Sequence, residues 1–188
     1  LWFYRKVTGI MVPNNIVADL AMDHGVDAEK VTITGIPVSP RIPLETRDKQ
    51  EIRRSLGWDE HLPTVLAVGS KRVDRLLETL NVINHFGGNL QLAVVAGKDD
   101  ALYHELSEVE WHVPVHLYDF VENMPVMMKA ADLLVCKAGG LIVTEALACA
   151  LPMLLIEVIP GQETGNAEYA NAYGSADIAQ SPIEVLEV

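Results

Sequence analysis

Residues 137–168 read KAGGLIVTEALACALPMLLIEVIPGQETGNAE, and this stretch carries the pattern that decides the fold. A glycine pair opens an apolar helical segment, a buried strand follows, and a polar loop closes the stretch. Glycines allow tight turns and close backbone approach, and free N–H groups at a helix start favour an anionic group. Open α/β sheets build sites for diphosphate-linked ligands in this way.

The same alternation of strand and helix patterns runs along the rest of the chain. Apolar or alternating runs predict strands at 8–12, 31–34, 64–68, 90–96, 115–118, 132–136 and 153–157. Helical spacing predicts helices at 15–24, capped by Asn14, and at 73–86, 101–108, 124–130, 141–149 and 166–173, and another helix begins after Pro182. Strands that alternate with helices form parallel sheets covered on both faces, so we expect a doubly wound, Rossmann-like α/β domain.

The segment 35–49, GIPVSPRIPLETRDK, breaks both periodicities with three prolines and mixed charges. One strand-helix-strand unit precedes it, and the main domain follows. We therefore expect 1–36 to be the tail of a first domain, 37–49 a linker and 50–188 a ligand-binding domain. Because the chain starts at Leu1 and its last predicted helix stops within two turns, we expect it to be cut at both ends.

Composition excludes several classes of function. A formal charge of −12 argues against a nucleic-acid surface, which needs clustered Lys and Arg. The longest apolar run, 146–156, contains Pro152 and falls short of the roughly 20 residues of a membrane span. Cys136 and Cys149 lack metal-ligand spacing, so we expect reduced thiols in a cytoplasmic protein. None of the six histidines forms a ligand pair, and we predict no metal or other cofactor.

Two loops beside predicted strand ends are the main candidates for ligand binding. The first has Gly139 and Gly140, which suit a phosphate, and Glu145, which could accept hydrogen bonds from two ribose hydroxyls. Alternatively, these glycines only turn the chain and Glu145 caps or charges the helix start. The second, 159–166, has donors and acceptors suited to sugar hydroxyls, and its alternative is a surface loop with Asn166 as helix N-cap.

Two further strand-end loops are weaker candidates. At 68–72, Gly69 and Ser70 could face a diphosphate, with Lys71 or Arg72 supplying charge, or the basic side chains are simply solvated. At 119–124, Phe120 could hold the edge of a base, or it belongs to the core.

These segments resemble one family, the inverting GT-B glycosyltransferases, which include monogalactosyldiacylglycerol synthases, processive diacylglycerol glucosyltransferases and the N-acetylglucosaminyltransferase of lipid II synthesis. The likeness runs through VPN (12–14), TGIPVSPRI (34–42), DFVENMPVMMKAADLLVCKAGGLIVTEAL (119–147), LP (151–152) and IPGQETGNAEY (159–169). IPGQE followed by GN is similar to the lipid-glycosylating members rather than the cell-wall enzyme.

The resemblance implies the C-terminal half of a two-domain hexosyltransferase. This half would bind a nucleotide sugar, UDP-glucose or UDP-galactose, and be inactive alone. An N-terminal domain would bind a lipid acceptor such as diacylglycerol, carry the general base and place the whole protein at the inner face of the membrane. By motif position, Glu145 would hold the ribose, Phe120 and the Val121 backbone the base, Gly139, Gly140 and Ser70 the diphosphate, and Gln162, Glu163 and Asn166 the sugar, with Gly69 and Met124 beside them.

Two positions depart from the family pattern. Ile142 stands where the family has a hydroxyl residue that contacts phosphate, and Thr144 is expected on a different helical face. The loop at 69–73, GSKRV, has less glycine than usual. A nucleotide-sugar 2-epimerase and a non-catalytic nucleotide-sugar-binding module therefore remain as alternatives.

Overall fold

The computed structural model describes residues 3–69, 73 and 75–187, and the chain forms two compact units, Leu1–Val38 and Ser39–Val188. The smaller unit has strand β1 (Ile10–Val12), helix α1 (Asn15–Asp23) and strand β2 (Val31–Ile33). Its two strands pair in parallel. The side chain of Asn14 accepts a hydrogen bond from the Val17 N–H at 3.0 Å, which confirms Asn14 as the cap of α1.

The larger unit is a six-stranded parallel sheet with helices on both faces. Its strands are β3 (Thr64–Val68), β4 (Gln91–Val95), β5 (Val115–Tyr118), β6 (Leu133–Lys137), β7 (Met153–Glu157) and β8 (Ala176–Ile178). Its helices are α2 (Arg41–Leu44), α3 (Lys49–Leu56), α4 (Leu76–His85), α5 (Asp100–Ser107), α6 (Met124–Ala130), α7 (Gly140–Ala148) and α8 (Thr164–Ala172). The predicted doubly wound α/β class is confirmed.

All seven predicted strands are present, but two α-helices and one strand of the described residues were not predicted. Helix α2 lies inside the predicted linker, and α3 follows it directly. Asp48 and Glu51 form a capping box at the start of α3, which the sequence signals by its D-x-x-E spacing. Strand β8 is a three-residue edge strand, too short to show a period. The segment after Pro182 forms a 3-10 turn, Ile183–Leu186, rather than an α-helix.

The strand order β5-β4-β3-β6-β7-β8 determines where a ligand-binding crevice can form. The chain runs outward from β3 to β5, returns to pair β6 with β3, and then runs outward in the other direction. Connections therefore leave the carboxyl ends of β3 and β6 on opposite faces of the sheet. The crevice between them is where open α/β sheets bind their ligands.

Alternation along the strands builds one core on each face of the sheet. Leu66 and Leu134 belong to the core under α3, α6, α7 and α8, whereas the neighbouring Val65 and Val135 belong to the core under α4 and α5. Central strands read as continuous apolar runs because both faces are covered.

A partly buried ionic network fixes α3 to the sheet. The Arg53 side chain is 5% exposed, pairs with Asp132, and donates to the carbonyls of Ala130 at 2.9 Å and Glu60 at 3.2 Å. Asp132 also accepts hydrogen bonds from the Lys49 ammonium at 2.7 Å and the Thr64 N–H at 2.8 Å. Burial by itself would raise the pKa of Asp132, but these hydrogen bonds and the charges of Arg53 and Lys49 hold it below its usual range.

No helix within the described residues is long and apolar enough to cross a membrane.

Candidate functional site

A cavity of about 420 Å³ opens where the carboxyl ends of β3 and β6 diverge. Loops that follow three different strands contribute to it, together with α6 and α7. Eight of the eleven predicted site residues line it, namely Gly69, Met124, Gly139, Gly140, Glu145, Gln162, Glu163 and Asn166. Sequence-distant loops meet here because the carboxyl ends of parallel strands share one edge of the sheet.

The KAGG turn presents an uncapped helix start to this cavity. Gly139 precedes α7, and no side chain caps the helix. The first-turn N–H groups and the positive end of the helix dipole are therefore available to an anion. A Cβ added at Gly139 would lie 3.6 Å from its nearest neighbour, on Ile142, and the backbone φ of −66° suits any residue. Neither packing nor conformation requires glycine here, which leaves the space free for a ligand.

Gly69 is required by packing instead. A Cβ at Gly69 would lie 2.6 Å from a methyl carbon of Leu102, 2.8 Å from one of Leu76 and 3.3 Å from the Val95 carbonyl oxygen. The Gly69 N–H also donates to that carbonyl at 2.8 Å, which extends the pairing of β3 with β4. This glycine lines the cavity because helices pack closely on the strand end.

Replacing Gly69 with alanine should lower the free energy of unfolding by about 1 to 3 kcal/mol, because the new methyl group overpacks a core that contains the fully buried Leu76. Urea denaturation would measure the change. Gly165→Ala is the matched control, since its Cβ would have no neighbour within 4 Å and alanine favours the helix. Equal stability of the two variants would contradict the packing role of Gly69.

Glu145 lies on α7 and faces the cavity without a cationic partner among the described residues. Burial raises the pKa of its carboxyl group, and a backbone hydrogen bond from Ser39 opposes this only in part. It is the sixth residue of its helix, and Gly139 occupies the cap position, so the alternative that Glu145 caps the helix is wrong. A partly desolvated carboxylate in a cleft is typical of a ligand-binding position.

Glu163 is buried and bonded within the protein. One carboxylate oxygen lies 2.7 Å from the Lys137 ammonium, and the other accepts the Ile159 N–H at 3.1 Å. The side chain is 3% exposed, whereas that of Lys137 is 23% exposed. Lys137 lines the cavity but was not among the predicted site residues.

Asn166 ties the loop after β7 to the KAGG turn. Its side-chain amide donates to the Ala138 carbonyl at 3.0 Å. It does not cap α8, which begins at Thr164, so the N-cap alternative is wrong. Gln162, four residues earlier, is exposed at the cavity.

Ile142, which departs from the family pattern, and the nearby Thr144 occupy different surroundings. Ile142 lines the cavity, whereas the Thr144 hydroxyl donates to the Gly140 carbonyl within α7 at 2.7 Å. This threonine therefore does not replace the missing hydroxyl at 142.

The loop after β5 lies outside the cavity lining except for Met124. Phe120 is 51% exposed, so its assignment to the core is wrong. The Lys98 ammonium lies 4.0 Å from the centroid of its ring, a cation–π contact. Val121 packs against the core under α6 and α7. The roles of Phe120 and Val121 in holding a base stay predictions, and Ser70, Lys71 and Arg72 lie outside the described residues.

Cys136 and Cys149 are both free, and burial raises the pKa of the Cys136 thiol, at the cavity wall, to about 12. No group of three His, Cys, Asp or Glu side chains in the described part of the chain could hold a metal ion.

Residues 64–178 match the glycosyltransferase family 28 C-terminal domain. The chain belongs to this family. The family 28 chain is 34% identical to monogalactosyldiacylglycerol synthase of Spinacia oleracea, over 99% of its own length and 37% of the relative's. It is 33% identical to monogalactosyldiacylglycerol synthase 3 of Arabidopsis thaliana, over its whole length and 42% of the relative's. The chain thus spans about two fifths of the length of these curated relatives.

Solved structures share the fold of the family 28 chain. UDP-GlcNAc 2-epimerase from Neisseria meningitidis, bound to UDP-GlcNAc, aligns with a TM-score of 0.67 at 14% identity, over 96% of this chain and 52% of its own. MurG from Acinetobacter baumannii aligns with a TM-score of 0.61 at 16% identity, over 97% of this chain and 63% of its own. At these identities the likeness shows the fold alone, a Rossmann-like α/β domain like the C-terminal domain of GT-B glycosyltransferases.

Proposed function

We propose that this chain is the donor-binding half of an inverting glycosyltransferase that moves a hexose from a UDP-sugar to a lipid acceptor such as diacylglycerol. The observation that carries the proposal is the cavity between β3 and β6, to which the KAGG turn, Glu145 and the loop after β7 all contribute. Its volume of about 420 Å³ falls within the usual range of ligand pockets. The 30–34% identity to monogalactosyldiacylglycerol synthases supports the reaction class.

Each part of the cavity has chemistry suited to one part of such a donor. The uncapped start of α7 would bind the diphosphate and stabilise the negative charge that develops as it departs. Glu145 would accept hydrogen bonds from the ribose hydroxyls, which would offset the desolvation of its carboxylate. Gln162 and Asn166 carry amide groups that can both donate to and accept from sugar hydroxyls.

The acceptor and the general base would lie outside this donor half. We propose that residues 1–36 belong to an acceptor-binding domain, with 37–49 as the linker. The separate compactness of Leu1–Val38 and the greater length of the relatives support a separate first part, whereas most of the proposed linker, residues 39–49, folds with the larger unit. The whole protein would then act at the inner face of a membrane as a peripheral protein.

UDP-galactose is the first donor to test, because the relatives' names describe a galactosyl group joined to diacylglycerol. Titration calorimetry of the chain with UDP, UDP-galactose and UDP-glucose should give binding in the micromolar to millimolar range, about −4 to −8 kcal/mol. An absence of heat with all three at about 1 mM would contradict the proposal. Transfer to diacylglycerol by the full-length protein would establish the acceptor.

A nucleotide-sugar 2-epimerase is the alternative that shares this fold. It would need catalytic carboxylates and a histidine in the cleft, and no histidine is found among the described residues that line the cavity. Release of an epimerised free sugar from UDP-GlcNAc without any lipid would favour the epimerase over the transferase.

A further inference from the structure

The ion pair between Lys137 and Glu163 joins the end of β6 to the loop after β7, both of which line the cavity. Glu163 uses both oxygens inside the protein, one on the Lys137 ammonium at 2.7 Å and one on the Ile159 N–H at 3.1 Å. Because the Glu163 side chain is only 3% exposed, little of its carboxylate is within reach of a ligand. The geometry therefore favours a role for Glu163 in holding its neighbours in place.

Lys137 has capacity left for a ligand. An ammonium group carries three N–H donors, and Glu163 accepts one of them. The side chain is 23% exposed and lines the cavity, so solvent or a ligand can reach it. Among the described residues that line the cavity, Lys137 is the only cation.

An irregularity in the sheet accompanies this position. The register of β6 on β7 shifts between Cys136 and Lys137, so that Cys136 pairs with Leu155 but Lys137 pairs with Glu157. Residues Cys136 and Lys137 both line the cavity, although successive side chains of a regular strand point to opposite faces. Such bulges re-aim side chains and are common beside functional sites.

The acidic side chains around the cavity would repel a bound diphosphate, so a cation near the diphosphate would favour its binding. Glu145 and Glu163 are both acidic, and the apolar side chain of Ile142 supplies no hydrogen-bond donor to the cavity. A diphosphate placed at the start of α7 would meet helix N–H groups but would also be repelled by Glu145. An ammonium held at the rim by a buried carboxylate would offset that repulsion.

We infer that Lys137 binds the diphosphate of the nucleotide sugar and that Glu163 is a positioning residue that holds the Lys137 ammonium at the cavity. This inference rests on the proposed function and assigns Glu163 a different role from the sugar contact that the family resemblance implies.

The test compares the affinity for UDP with the affinity for uridine, which lacks the diphosphate. In Lys137→Met the affinity for UDP should fall about 10- to 100-fold, as expected for loss of a charge-assisted hydrogen bond, while the affinity for uridine stays within about twofold. Lys137→Arg should keep most of the preference for UDP. Glu163→Gln should lower the affinity for UDP about three- to tenfold, because a neutral amide holds the ammonium less firmly.

Lys6→Met is the matched control, since it removes the same charge from an exposed side chain that does not line the cavity. Its ratio of UDP to uridine affinity should equal that of the wild type. If circular dichroism shows that Lys137→Met does not fold, the ratio of UDP to uridine affinity in Glu163→Gln tests the inference instead.

The outcomes separate the inference from the proposed function. UDP binding by the wild type with an unchanged UDP-to-uridine ratio in the folded Lys137→Met or Glu163→Gln variant would overturn the inference alone. An equal loss of UDP and uridine affinity would mean a purely structural ion pair and would also overturn it. Failure of the wild type to bind UDP would overturn the proposed function and this inference with it.

Discussion

Replacement of Arg53 with methionine should lower the free energy of unfolding by about 2 to 3 kcal/mol, because hydrogen bonds from a buried charged group to two carbonyls and a partly exposed carboxylate are lost. This loss of stability has two causes. Asp132 loses its guanidinium partner, and the carbonyls of Ala130 and Glu60 lose donors at 2.9 and 3.2 Å. Methionine fills much of the volume of the aliphatic stem, so the change isolates the polar interactions.

The neighbouring Arg54 provides a matched control on the same helix. Its side chain is 61% exposed and pairs with Glu60 at 3.3 Å on the surface. Arg54→Met should change stability by no more than about 0.5 kcal/mol, because exposed ion pairs contribute little. Urea denaturation of both variants at pH 7 would measure the difference between them. Similar midpoints would show that the network does not stabilise the domain.

The same network should make stability sensitive to acid. The pKa of Asp132 is lower in the folded chain than in the unfolded one, so the unfolded state binds more protons once the pH falls below about 4. The stabilisation from Asp132 is therefore present above that pH and is lost as the pH falls through the lower, folded pKa. In Arg53→Met part of this acid sensitivity should disappear.

Replacement of Glu145 with glutamine should weaken UDP binding about 10- to 100-fold, because two charge-assisted hydrogen bonds to the ribose would become neutral ones. Calorimetric titration with UDP would measure the loss. Glutamine keeps the shape of the side chain, so the cavity itself should persist. Unchanged affinity would remove Glu145 from the proposed site.

Glu145→Gln should raise the stability of the folded chain although it weakens UDP binding. Because burial raises the pKa of Glu145, its contribution to stability is full below the pKa of the unfolded chain and is lost as the pH rises through the higher, folded value. At pH 7 the ionised Glu145 carboxylate therefore destabilises the folded chain, and Glu145→Gln should have a higher melting temperature than the wild type. A gain in stability with a loss of binding is typical of residues kept for function.

Glu168 on α8 offers the control for both measurements, since its side chain is exposed and does not line the cavity. Glu168→Gln should alter neither UDP affinity nor melting temperature by a measurable amount. A lower melting temperature in Glu145→Gln alone would mean that Glu145 supports the fold rather than the ligand.

The strands could be predicted because buried central strands are continuous apolar runs of five or so residues with turn residues on either side. Strand β8 has only three residues, Ala176–Ile178, and two of them are exposed, so no run marks it. Helix α3 was not predicted because its charged residues outnumber its apolar ones, which leaves no clear apolar periodicity. The capping box of Asp48 and Glu51 is nevertheless a sequence signal for its start. Its main attachment to the sheet, Arg53 with Asp132, joins residues 79 positions apart.

The site could be predicted in part for a related reason. Loops after parallel strands meet at one edge, so Gly139, Glu145 and Asn166 could be grouped from their places in the pattern alone. The bond between Lys137 and Glu163 could not, because it spans 26 positions and depends on the local register of β6 on β7. Whether Phe120 was core or surface also depended on packing that no periodicity describes.

The pairing of β6 with β3 has a consequence for the order in which the molecule can form. Val65 lies opposite Leu133, so this pairing must close a loop of almost seventy residues, the longest in the sheet. Pairings between strands far apart in sequence form slowly, because the chain loses conformational entropy on loop closure before the new contacts stabilise it. A nascent chain that has built β3, β4 and β5 therefore has a hydrophobic sheet edge but no crevice. The binding site comes into being only when β6 docks, so occupancy by a ligand reports that the two halves of the sheet have joined.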